Sequence, residues 1–210
     1  MEKNETLSTK EKQKAILRWL GTGSINVFGR PFAGKDVQCS LINAWMGTEI
    51  IGGGDIIRTQ EEAAHLRESH DKGQLAPTDE FLALVTRYFS RDEFDGKPII
   101  LSSIGRWDGE QKPICDAAAE AGHPTKAVIY IDITEETVLD RFEKSGNRGR
   151  GDDNTEVLAT RLNEFREKTM PVIQDYEQRD MLVRVKGDQP PEQVQQEIVN
   201  KLYELSQKSL

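Results

Sequence analysis

Gly29, Gly34 and Lys35 stand at the spacing G-x-x-x-x-G-K, directly behind the apolar run 25–28. That arrangement can hold phosphate. Glycines let the backbone curl until successive N–H groups converge on one anion, the start of the following helix adds its positive end, and the lysine reaches the outer phosphates. Pro31 inside the loop and the helical run after it (Val37, Leu41, Ile42, Trp45) favour this reading over a glycine-rich turn with a surface lysine. Asp36 stands where the motif has Ser or Thr. A second chemically suggestive stretch is Arg148-Gly149-Arg150-Gly151-Asp152-Asp153-Asn154. Its glycines disfavour helix and strand interiors, and its charges predict a mobile, arginine-bearing loop.

The elements that must position these residues follow from periodicity. Ser8-Thr9-Lys10-Glu11 has the form of a capping box, and Ala15, Ile16, Trp19 and Leu20 follow at helical spacing, so an amphipathic helix precedes the first strand. Buried strands are predicted at 25–28, 48–51, 98–101, 127–131 and 182–185. Helical patterns lie between them, at 35–46, 56–66, 79–89 and 134–142, with a long one over 155–179 that Pro171 should bend and a last one over 194–205. Continuous apolar strands alternating with amphipathic helices predict an α/β three-layer sandwich around a parallel five-stranded sheet, with ligands beyond the strands' carboxyl ends. Gly52-Gly53-Gly54-Asp55 marks a place where backbone turns sharply or approaches something closely, although an Asp N-cap after a plain turn accounts for the same letters.

Composition narrows the functional classes. At 210 residues the chain suits one substantial core. A formal net charge of -8 argues against a general nucleic-acid surface, which rests on clustered Lys and Arg. Arg148 and Arg150 beside Asp152 and Asp153 make a poor electrostatic footprint for RNA. Cys39 and Cys115 have neither C-x-x-C spacing nor a disulfide framework, so they read as small buried hydrophobes in a reducing cytoplasm. No apolar stretch approaches 18 residues, and the N-terminus is a charged run, so neither membrane span nor signal peptide is expected.

Five blocks in order resemble the adenylate kinase family of nucleoside monophosphate kinases. G-R-P-F-A-G-K-D-V-Q-C is similar to the family's G-x-P-G-x-G-K-G-T-Q, and G-G-G-D-I-I-R to S-T-G-D-L-L-R. G-Q-L-A-P-T-D-E resembles G-x-L-V-P-D-E, and I-I-L-S-S-I-G-R a strand ending in D-G-F-P-R. R-G-R-G-D-D-N, with Arg161 beyond it, resembles the short-lid G-R-x-D-D-N. The resemblance implies one kinase domain over 1–210, with a monophosphate-binding insert at 54–90 and a lid at 144–154. It implies phosphoryl transfer from ATP with magnesium to a nucleoside monophosphate, AMP first among the acceptors, by a cytoplasmic monomer without nucleic-acid or membrane partners. UMP/CMP-type kinases and a degenerate nucleotide-binding relative are the rival readings.

Carried over by position, Gly29, Arg30, Pro31, Phe32, Ala33, Gly34, Lys35, Asp36 and Val37 would hold the donor's phosphates, with Arg141 and Gly187 at its base. Gly53, Arg58, Gln74, Leu75, Ala76, Arg106 and Gln111 would hold the acceptor, Glu110 and Gln111 leaving its base unread. Arg150 and Arg161 would bridge both substrates, oriented by Asp152 and Asp153. Lys35, Arg106, Arg150 and Arg161 are then the catalytic set, since planar guanidinium forks pair with phosphate oxygens and stay charged on burial. No structural zinc is expected, because neither cysteine lies in the lid. Val37 replaces the family's Thr, Gly53 the Thr of the acceptor loop, and Ser102 the Asp that ends the strand. Magnesium prefers carboxylates, so the expectation is that Asp36 supplies the one missing at Ser102, whose hydroxyl acts through water.

Overall fold

β1 (Ser24–Gly29) is buried along its whole length, as expected for a strand covered on both faces. It occupies the centre of a five-stranded, all-parallel sheet ordered β2-β3-β1-β4-β5. The others are β2 (Glu49–Gly52), β3 (Ile99–Ser102), β4 (Thr125–Asp132) and β5 (Leu182–Lys186). Each falls within a residue or two of its apolar run, β4 beginning two residues early, at Thr125. The structure, a computed structural model, describes residues 7–72, 74–75, 78–145 and 154–208. Ala76, Arg148, Arg150, Asp152, Asp153 and nearly all of the expected lid therefore lie outside the described residues.

Strand alternation sorts the core into layers. Ile25 and Val27 of β1 pack with Ala127, Ile129 and Ile131 of β4 on one face, beneath α1 (Thr9–Leu20), α2 (Lys35–Met46) and α10 (Pro191–Lys208). Phe28, Val128 and Tyr130 face the other way, onto Val172, Ile173 and Tyr176 of α9 (Met170–Gln178). The period of two does this sorting: one register step would exchange the side chains of the two faces. A third cluster joins β2 and β3 to α3 (Gly53–Thr59), α5 (Thr78–Phe89) and α6 (Gln111–Glu120). No helix among the described residues is long and apolar enough to cross a membrane.

Two segments depart from the periodic pattern. The pattern at 56–66 divides between α3 and a short 3-10 segment (Glu61–Leu66), and a separate short helix, α4 (Arg67–Asp71), follows it. The helical pattern at 155–179 is split into α8 (Thr155–Glu164) and α9 by one wide turn, Phe165–Thr169, in which Met170 N donates to Phe165 O. Pro171 follows at the start of α9, where its missing N–H and bulky ring are tolerated because the ladder has already widened. The glycine-rich stretch after β2 is helical from Gly53 onward, with Gly52 as the cap and Asp55 inside the first turn, so the Asp N-cap alternative does not hold. α7 (Glu135–Ser145) runs toward the undescribed loop.

Candidate active site

The phosphate loop is a short bridge between β1 and α2. Ala33 N donates to Arg30 O (3.1 Å), and Gln38 N makes the first helical bond to Gly34 O (3.0 Å). Gly34 has φ +86, a conformation that suits glycine, and a side chain at Gly29 would stand 2.9 Å from Ala33 Cβ. Phe32 also has a positive φ, 62°, which costs a non-glycine residue about 1–3 kcal/mol. Two contacts offset that strain. Its ring meets Phe142 edge-on with centroids 5.5 Å apart, and its carbonyl accepts from Arg141 Nη1 at 3.1 Å. Arg141 Nη2 donates to Gly187 O at 2.7 Å, so one guanidinium ties the phosphate loop to the chain after β5. At Gly187 an added Cβ would meet Ile133 and Ile131 methyls at 2.5 and 2.7 Å.

Not every loop residue faces the cleft that opens above the sheet. Gly29, Pro31, Lys35 and Asp36 line it. Arg30 turns back to the end of β4, where Nη1 donates to Ile133 O (2.7 Å) and Tyr130 Oη (2.9 Å) and the guanidinium lies over Phe165. Ala33 is in the core, Val37 is 48% exposed, and neither these nor Phe32 stand on the cleft wall. What Arg30, Phe32, Ala33 and Val37 can offer a phosphate is main chain.

The facing wall is assembled from separate segments. At the start of α3, a Cβ on Gly53 would be 3.2 Å from Phe81 Cζ, and one on Gly54 would be 2.9 Å from His70 Nε2 and 3.1 Å from Arg58 Nη1. The glycines are thus where side chains crowd the backbone. Arg58 holds Asp55 at 2.6 Å, and Gln74 and Leu75 complete this side. Arg106 arrives on the loop after β3. Asn26, buried on β1, fixes that loop: its Nδ2 donates to Ile104 O (2.7 Å) and its Oδ1 accepts from Ile104 N (3.3 Å). Ser103 and Gly105 turn the chain with φ of 54° and 75°, and Ser103 N donates to Val27 O.

Gln111 is not on this wall. Its amide closes a turn, accepting from Gly109 N (2.6 Å) and donating to Asp108 Oδ1 (3.1 Å). The buried Glu110 lines the cleft instead, with Oε2 accepting from Trp107 N at 3.0 Å. The two are neighbours at the mouth of α6, and only the path of the loop decides which points inward. His70, Phe81 and Trp107 also line the cleft without having been singled out by any motif. Trp107 carries Lys168 Nζ 3.8 Å from its ring centroid.

Electrostatics give the cleft its character. Burial pushes the Lys35 ammonium below its ordinary value. Asp36 opposes this, and the Arg106 and Arg161 cations add to it. Burial, followed by the Arg161 cation, holds Arg106 down to about 10, with Glu164 and Glu110 opposing. Lys35, Arg106 and Arg161 therefore sense one another across the cleft, which encloses about 1120 Å³ including open solvent. Like charges held together in a partly desolvated space suit a polyanion. Asp36 and Ser102 share this wall with Lys35. The Ser102 hydroxyl is bonded to the Cys39 thiol, which burial pushes up to about 11, far from the thiolate range that would make it reactive.

The family model for adenylate kinase matches residues 27–181, a span from β1 to just before β5. The chain is 31% identical over 173 residues to the adenylate kinase of Thermus thermophilus, covering 79% of this chain and 89% of the relative. It is 28% identical over 190 residues to adenylate kinase isoenzyme 1 of Caenorhabditis elegans (87% and 89%). It is 29% identical over 168 residues to the adenylate kinase of Corynebacterium glutamicum (77% and 90%).

Proposed function

The chain belongs to the adenylate kinase family and is a phosphotransferase acting on a nucleoside monophosphate, and from that premise we propose that it carries the terminal phosphoryl group of magnesium-bound ATP to AMP, yielding two ADP. The observation that carries the reading is the convergence of Lys35, Arg58, Arg106 and Arg161 on one cleft. An acceptor phosphate oxygen attacks the terminal phosphorus, the bond to the β-phosphate bridging oxygen breaks, and ADP leaves in line with the attack. Little covalent work falls to the protein: it holds two polyanions in register and offsets charge on the migrating group. Lys35 and the main chain of Gly29 to Lys35 hold the donor. Arg58 and Arg106 hold the acceptor phosphate, and Arg161 reaches both, joined by Arg150. The Arg141 plane, braced by Phe32 O and Gly187 O, offers a flat cation on which the donor base stacks. The insert at 54–90 and the lid at 144–154 close over the substrates, and the enzyme works as a cytoplasmic monomer.

Magnesium carried with ATP would offset charge on its phosphates, and Asp36 and Ser102 are the residues that would hold it. One exposed carboxylate and one hydroxyl, Asp36 and Ser102, line the cleft beside Lys35. Among the described residues no three His, Cys, Asp or Glu side chains gather around a metal position. That donor set fits a cation that keeps most of its waters and takes phosphate oxygens, with Asp36 as the protein's carboxylate and Ser102 acting through water.

One observation favours a second acceptor. Glu110 lines the cleft, and an ionised carboxylate only accepts hydrogen bonds. Guanine offers two adjacent donors on its Watson–Crick edge, whereas adenine offers one donor beside an acceptor. Coupled turnover with AMP, GMP, CMP and UMP decides between them. A preference for AMP supports the first reading, a preference for GMP the second, and no turnover with any of the four refutes both.

A further inference from the structure

The proposed reaction gives no task to one titratable group on the acceptor wall. His70, on α4, lines the cleft. Its Nε2 lies over Gly54, where a methyl group would be 2.9 Å from it and 3.1 Å from Arg58 Nη1, so His70 and Arg58 share the space above the first turn of α3. The opposite nitrogen, Nδ1, is shielded from solvent with no hydrogen-bond partner among the described residues. Asp71 Oδ1 stands 3.7 Å from it, too far for a hydrogen bond and near enough to steady an imidazolium. The charged groups around the ring are Arg58 with its partner Asp55 on α3, Arg161 on α8, and Asp71 on α4 itself.

We propose that His70 is a third donor to the acceptor's phosphate, beside Arg58 and Arg106, and that it takes up a proton from solvent when the monophosphate binds. The inference rests on reading this wall as the acceptor site. In the free protein, burial and then the Arg58 cation hold the imidazole below its ordinary value, with Asp71 opposing and Arg161 adding. A phosphate dianion arriving between these cations reverses the local field. Nε2–H then donates to a phosphate oxygen while Nδ1 accepts the proton beside Asp71, giving a charge-assisted contact in place of a neutral one. Because the imidazole titrates low in the free protein and higher in the complex, uptake falls between the two values. His70 therefore adds more to binding as pH falls through that window.

Calorimetric titration of AMP, GMP, CMP and UMP into wild type and His70→Gln, from about pH 8 to about pH 6, tests this. Taking the ratio of the two affinities cancels the ligand's own phosphate ionisation. For whichever monophosphate binds best, the variant should bind roughly tenfold more weakly at the acid end and within about twofold of wild type at the alkaline end. Asp71→Asn should bind like wild type at the alkaline end and lose part of the gain at the acid end. An affinity ratio that stays constant with pH, or stays near one, overturns the role of His70 while leaving the kinase reading intact. A wild type that binds none of the four overturns both.

Discussion

The two walls of the cleft, donor and acceptor in the function proposed, are built in different ways. The donor wall comes mainly from one continuous stretch, Gly29 to Asp36, closed by its own turn and helix-start hydrogen bonds and braced from behind by Arg141 between Phe32 O and Gly187 O. The acceptor wall draws on the start of α3, on α4, on the loop after β3 and on α8, segments that together span about a hundred residues of chain. A contiguous loop carries its geometry with it. An assembled wall keeps its geometry only while β1, β3 and the helices above them hold register, so its cations are as well placed as the packing beneath them.

The largest effect that would sharpen this contrast is on the acceptor side. Arg106→Ala removes a cation whose hydrogen bonds strengthen as charge moves onto the migrating phosphoryl, and turnover should fall by at least ~10²-fold. The same change relieves repulsion with Arg161. Since Arg106 is held at about 10, below its unfolded value, its charge is disfavoured in the fold at every pH below that. The variant should therefore melt at or above wild type near neutral pH, as expected where an active site holds strain for function. A variant that loses both fold and turnover would mean that Arg106 serves the structure.

Next in size is Asp36→Ala on the donor wall. Magnesium should strengthen ATP binding by roughly tenfold or more in wild type and by far less in the variant, about the worth of one charge-assisted ligand. Equal magnesium dependence, read by fluorescence titration with and without the cation, would place the metal's carboxylate elsewhere.

A matched pair tests the walls against each other at smaller cost. Asn26→Ala strips two hydrogen bonds from Ile104 and should destabilise the fold by about 1–3 kcal/mol. Gly187→Ala drives a methyl into Ile131 and Ile133 at a similar cost of about 1–3 kcal/mol. Each kcal/mol should lower the melting temperature by about 2–4 °C in a chain of this size. Although the losses are alike, the kinetics should diverge. Asn26→Ala should raise KM for the monophosphate more than for ATP, and Gly187→Ala the reverse. Parallel shifts in both constants would mean that the walls do not act as separate units.

The ease of reading each wall from the chain follows its construction. Gly29, Gly34 and Lys35 were legible because their spacing is itself the geometry. Arg58 and Arg106 could be named from a family pattern, but nothing in their neighbours shows that they converge. The choice between Glu110 and Gln111 was beyond any pattern, since one residue's rotation around a turn closed by Asp108, Gly109 and Gln111 settles it. Asn26 reads as a mere polar interruption in an apolar strand until Ile104 is found beside it. His70 belongs to no motif at all.

The sequence by itself determined the five strands, most of the helices between them, α6 being the exception, and a strand-to-helix turn with phosphate-loop spacing, because apolar periodicity and glycine spacing are local properties of the chain. It also determined the supply of arginines, and that position 36 carries a carboxylate and position 102 only a hydroxyl. Only the tertiary structure decided that Lys35, Arg106 and Arg161 face one another, that Arg30 turns away to β4, and that Phe32 is held with a positive φ by Phe142 and Arg141. Those outcomes depend on contacts between residues up to about a hundred and thirty positions apart in the chain. Such contacts form only once the sheet order β2-β3-β1-β4-β5 has set which strand ends lie side by side.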